Sequence, residues 1–255
     1  MTQLVKEYKS RRLFYRKYLY NIRVHTPLSH LFRKAEQHDD NLSGTENRIK
    51  QVSEAHRKVV TKLNKQSPNA PVKTASEVQI PRATIGFWFG TQLISRNHIR
   101  DAQTVLHALR QCSDYHIRVE GKKLSIFTND DTLYSKIIPN LRKGGHEYHR
   151  PDDDYKKFLT QHSDVIVVNR KPELKYRVTL NGKKTGIDNL TTWLEANHDK
   201  SGVSEIVLNK LKNEKWHDGC YFYIRDDKVL TLVTMLAGNC VRRVDKLVYA
   251  GDIDK

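Results

Sequence analysis

The chain has 255 residues, 38% apolar and 29% charged, which suffices for two cores of ordinary size and is too apolar for a disordered polymer. Its formal net charge is +16, an excess that points to a polyanionic partner, of which nucleic acid is the commonest. A membrane helix is excluded, since no apolar run reaches the ~18 residues it needs, and the longest, Val229 to Ala237, stops at Gly238. The first residues lack the basic, apolar, small-residue order of a signal peptide. Three cysteines, Cys112, Cys220 and Cys240, without CxxC spacing suggest neither a disulfide framework nor structural zinc. The expectation is an intracellular, cytoplasmic protein without membrane association or cofactor.

Residues 1–35 carry nine Lys or Arg against one Glu, a local +8 that is half the total. From Lys17 to His25 apolar and polar residues alternate, with Tyr18, Tyr20, Ile22 and Val24 on one face, as in a half-buried strand. Thr26-Pro27 predicts a helix from Pro27 to about Gln37. A second helix, capped by Thr45 and running to Leu63, follows from Ile49, Val52, Val59 and Leu63. Residues 64–81, with Pro68, Pro71 and Pro81, read as a linker or long loop.

An apolar run at 85–89 then predicts a strand, Ser95 caps a helix to Gln111, and Tyr115–Val119 and Leu124–Thr128 form a hairpin about Glu120-Gly121. Asp130 or Asp131 caps the next helix, and Asp164 to Asn169 supplies a buried strand. The order β, α, β, β, α, β over 82–170 is that of a ferredoxin-like module. A second, related α+β module occupies 171–255: a strand at Lys175–Leu180 turned by the hairpin signal Asn181-Gly182, a helix around Leu190 and Trp193, then strand, helix and strand from Cys220 to Tyr249. Ile126–Leu133 aligns without gaps onto Phe222–Val229, as an internal repeat would. The fold class is therefore α+β, with a basic strand-helix region at 1–63 in front of the two modules.

The candidate nucleic-acid contacts are Lys6, Lys9, Arg11, Arg12, Tyr15, Arg16, Lys17, Tyr18, Tyr20 and Arg23, followed by Arg33, Lys34, Arg48, Lys50, Arg57 and Lys58 on the helices. Cations neutralise phosphates, and tyrosine rings stack on unpaired bases at roughly 1–3 kcal/mol each. That pairing favours RNA or single-stranded DNA over duplex. The same tyrosines on even positions are also what a core would use. Phe87, Trp88, Phe89 and Phe127 could face RNA from an open sheet, although core packing suits them better.

The stretch Gly144 to Asp154 holds His146, His149, Asp152 and Asp153, which could in principle bind a divalent metal and make the protein a nuclease. It lacks the HExxH spacing, and an exposed polar loop whose acids cap the helix Tyr155–Gln161 is the plainer reading. Helix capping likewise accounts for Asp130-Asp131 and Asp226-Asp227. A structural role in a nucleoprotein particle, with a protein assembly partner, is the remaining alternative. No catalysis is expected.

Overall fold

The computed structural model describes residues 5–36, 41–67, 69, 77–81, 91–142, 145–213 and 215–253. It is a mixed α+β protein with two five-stranded sheets. The chain divides into two units, one of residues 1–10 and 17–151, the other of residues 11–16 and 152–255. None of the described helices is long and apolar enough to cross a membrane.

The first unit contains β1 (Val5–Ser10), β2 (Tyr20–His25), α1 (Asn41–Gln66), β3 (Val78–Pro81), β4 (Thr91–Ile94), α2 (Arg96–Arg110), β5 (Tyr115–Glu120), β6 (Lys123–Thr128), α3 (Thr132–Ile137) and β7 (His146–Pro151). Its sheet runs β1-β7-β2-β6-β5. Only the outer pair, β1 and β7, is parallel. Alternation sends Tyr20, Ile22, Val24, Ile117, Leu124, Ile126 and Tyr148 into one core with Ile49 and Val52 of α1, Ile99, Val105 and Leu109 of α2, and Leu133 and Ile137 of α3. The helices thus cover one face.

Local signals hold most of these elements. Ser95 accepts from the His98 backbone N–H while the His98 ring returns a bond to the Ser95 N–H, a reciprocal cap that starts α2. Gly121, at φ 57°, makes the two-residue turn that sets Glu120 opposite Lys123. The segment after Pro27 is a 3-10 helix, Ser29–Glu36. The strand expected at 85–89 lies outside the described residues.

The second unit contains α4 (Lys156–Gln161), β8 (Val165–Val168), β9 (Tyr176–Leu180), α5 (Ile187–Ala196), β10 (Ser201–Gly202), α6 (Glu205–Lys212), β11 (Tyr221–Ile224), α7 (Asp227–Ala237) and β12 (Val241–Tyr249). Its sheet runs β10-β11-β9-β12-β8, again antiparallel except for the outer pair β12 and β8. Val178, Leu180, Phe222 and Ile224 form a core with Ile187, Leu190 and Leu194 of α5, Leu211 of α6 and Val233 of α7.

Each sheet therefore has the same plan, an extra strand parallel to the last strand, with the others following in the order last, first, third, second. The eight-residue match in sequence falls at corresponding places, the junctions β6–α3 and β11–α7. At one, Asp130 accepts from the Thr132 N–H (2.9 Å); at the other, Asp226 accepts from the Val229 N–H (3.0 Å) and caps α7.

Three readings of the sequence are corrected. The strand at 164–169 belongs not with the 115–128 hairpin but with β12 in the second sheet; an apolar run specifies burial on both faces, not which sheet provides it. The polar stretch at 146–151 is not a loop but β7, between β1 and β2. Asn181 does not turn a hairpin: its side chain accepts from the Lys183 N–H (2.8 Å), and the chain runs on into α5.

Candidate nucleic-acid interface

The faces of the two sheets turned away from their helices differ in charge. In the second unit, alternation leaves Arg177 and Thr179 of β9, Tyr221 and Tyr223 of β11, and Arg243 and Asp245 of β12 on the side opposite the core. The register groups them in two rows, Tyr221, Thr179 and Arg243, then Tyr223, Arg177 and Asp245. The Arg177 guanidinium lies over the Tyr221 ring at 3.8 Å from its centroid, and Tyr221 meets Tyr223 edge-on at 5.7 Å.

The strap of residues 11–16 adds two more arginines to this face. Arg16 lies 3.8 Å from the Asp245 carboxylate and donates to the Val244 carbonyl oxygen. Tyr15 and Arg16 adopt φ of 53° and 59°, a left-handed conformation costing of order 1–3 kcal/mol per non-glycine residue and kept only where surrounding contacts impose it. Arg11, at the start of the strap, pairs with Asp152 at 3.7 Å, donates to Asn169 and covers the Tyr155 ring. Burial pushes the Arg12 guanidinium below its ordinary pKa; the like charges of Arg177 and Arg243 push the same way, and Asp245 opposes them. An arginine does not give up its proton under such pressure.

Asp245, 3% exposed, serves as carboxylate to Arg243 (2.8 Å) and Arg16, with Arg12 and Arg177 nearby. Tyr221, by contrast, is 41% exposed.

The corresponding face of the first sheet is neutralised from within. Its rows are Asn21, Phe127 and His149, then Arg23, Ser125 and Glu147. Glu147 accepts from Arg23 (2.7 Å), meets His149 (3.3 Å) and lies 3.6 Å from His25. The Arg23 bond holds the Glu147 carboxyl at about 2, with burial opposing and His149 assisting. Burial pushes the His149 ring down, aided by the Arg23 charge. Phe127 and Ser125 are buried, and Tyr8 stacks on His149 at 4.7 Å.

The structure distributes the sequence candidates among these surroundings. Arg11, Arg12, Tyr15 and Arg16 form the strap. Lys6 and Lys9 are exposed on β1. Lys17 pairs with Asp114 at 2.7 Å and lies over the Tyr18 ring. Tyr18 and Tyr20 are buried, Tyr18 bonded to Asp114 and Tyr20 stacked on Tyr148. Arg33 is exposed, and the Lys34 side chain lies outside the described residues. Arg48 donates to the Gly44 carbonyl (3.2 Å), and Lys50 pairs with Glu46 (3.0 Å). Arg57 and Lys58 join Lys62 and Lys65 along an open groove on the second half of α1.

This chain matches no family model, no curated protein and no solved structure. Its reading rests on geometry. Arg177, Arg243, Tyr221 and Tyr223 were not among the sequence candidates, although each lies on the polar side of an alternating strand. Strand register, which brings them together, is the part alternation leaves open. Of the metal candidates, His146 and His149 are three apart on β7 and so face opposite sides of the sheet. Asp152 pairs with Arg11, and Asp153 opens a 3-10 turn. Among the described residues no group of three or more His, Cys, Asp or Glu could hold a metal ion.

Proposed function

We propose that the chain binds single-stranded nucleic acid, RNA or DNA, through the helix-free face of its second sheet, with the basic half of α1 as an additional phosphate track. In this reading both units are ferredoxin-like modules, each with an added edge strand; the shared strand order last, first, third, second supports it. The observation that carries the reading is four arginines, 12, 16, 177 and 243, gathered around one buried carboxylate beside the exposed Tyr221. Guanidinium forks match phosphate oxygens, and an aromatic ring with a cation at its side stacks on any base.

Anisotropy titrations of a labelled single strand and of a duplex at two salt concentrations test this. With about four phosphates neutralised, the logarithm of the association constant should fall with log salt at a slope of about −3 for the single strand. Arg177→Ala with Arg243→Ala should weaken binding by about tenfold or more, as expected for charge-assisted bonds. Absent or salt-independent binding refutes the proposal.

A further inference from the structure

Two polar atoms on the arginine face have no hydrogen-bond partner. They are Thr179 Oγ1, in a residue only 9% exposed, and Arg177 Nε. A buried polar atom left unpaired is costly; Thr179 sits in the row that joins Tyr221 to Arg243, and Arg177 in the row that joins Tyr223 to Asp245. Corresponding positions in the first sheet hold Arg23 and Asn21, which also carry unpaired atoms, Arg23 Nε and both amide atoms of Asn21; what differs there is the carboxylate, Glu147, bound to Arg23 and His149. In the second unit Arg16 and Arg243 both pair with Asp245, and Arg12 and Arg177 lie near it.

An internal phosphodiester offers such a cluster one negative charge and two free oxygens, on a backbone that must continue in both directions. A terminal phosphomonoester offers about −1.5 to −2 charges and three acceptor oxygens. It also enters end-on, which suits a half-buried cluster with an exposed ring at its edge. Arg177 lies over Tyr221, yet the ring keeps 41% of its surface exposed.

We propose that this cluster seats the terminal phosphate of a single strand, with Arg177, Arg243, Arg12 and Thr179 holding the phosphate and Tyr221 stacking the end base. The proposal rests on the single-strand reading above and narrows it from strands in general to strand ends. Recognition of an end would make the second unit a reader of how a strand was produced, since cleavage reactions differ in whether they leave phosphate or hydroxyl.

The test uses the full chain and one labelled sequence in three forms: 5′-phosphorylated, 3′-phosphorylated and unphosphorylated. One phosphorylated form should bind about tenfold more tightly than the unphosphorylated strand, the gain expected from one or two added charge-assisted bonds. Thr179→Val keeps the side-chain shape and should reduce that preference in part. Arg243→Lys, which keeps the charge but loses the guanidinium fork, should reduce it further. Equal affinity for all three forms overturns the end-specific proposal and leaves the single-strand reading standing. Competition by a free nucleoside monophosphate as effective as the phosphorylated strand also overturns it, in favour of a nucleotide site. Failure of every strand to bind removes both.

Discussion

Asp245 and Glu147 each lie on the last strand of their sheet, one row apart in register, and each answers to arginine. Asp245 is outnumbered, so its removal should have two opposite effects. Asp245→Asn takes a buried partner from Arg243 and Arg16, and the fold should lose about 1–3 kcal/mol. The same change deepens the positive field and should tighten strand binding. A lowered Tm together with a raised affinity is the expected result; loss of both would assign Asp245 to binding rather than to restraint.

Glu147 should report through pH. Its folded carboxyl titrates at about 2 against an ordinary 4.5, so its contribution is complete above 4.5 and disappears as pH falls toward 2. His149, held below its ordinary 6.5, acts in the same direction, since below that value the unfolded chain takes up the proton more readily. Arg23, His25, His149 and Lys123 are the charged or titratable groups around the carboxylate. Glu147→Gln should cost about 1–2 kcal/mol at neutral pH, allowing for screening at its partly wet rim, and should flatten stability between pH 4.5 and 2. Urea midpoints across that range measure both effects.

The helix α1 divides along its length. Its first half pairs its charges, Lys50 and Arg110 both reaching Glu46. Its second half exposes Arg57, Lys58, Lys62 and Lys65. Reversing Lys58 and Lys62 to Glu should leave the helical circular dichroism unchanged, because the core side of α1 rests on Ile49, Val52 and Val60. It should also reduce the salt slope of strand binding by about one to two. An unchanged slope would remove α1 from the interface. Elements with a one-sided apolar stripe or a strong local cap, such as α1, α2, α7 and the β5–β6 hairpin, were legible in the sequence. β1 and β7 were not, because their polar side chains are satisfied across strands: Arg150 by Glu7, Glu147 by Arg23, His149 by the Tyr8 ring. A linear reading registers such residues as loop. For the same reason the candidate site was legible in its strap, where the charge is consecutive, and hidden in its sheet, where residues far apart in sequence become neighbours through register.

Across the whole chain, one plan of elements appears twice with contrasting electrostatics. The first unit closes its helix-free face with internal ion pairs and buried side chains, and the second leaves its own cationic. A net charge of +16 therefore conceals a contrast between the two faces that the total cannot express. Most of the sequence candidates belong to the first unit by position along the chain, yet Arg11 to Arg16 fold into the second.

That strap has a consequence for synthesis. The Arg16 side chain donates to the Val244 carbonyl, and the Arg11 carbonyl accepts from the Val167 N–H at 2.9 Å. Residues 11–16 thus find their partners far downstream in the sequence, one of them in β12. Throughout translation of the intervening residues this arginine-rich stretch has no native place to settle. A nascent chain would carry this basic segment uncovered until β12 emerges, so the arginine-bearing face can be assembled only after that strand has been made.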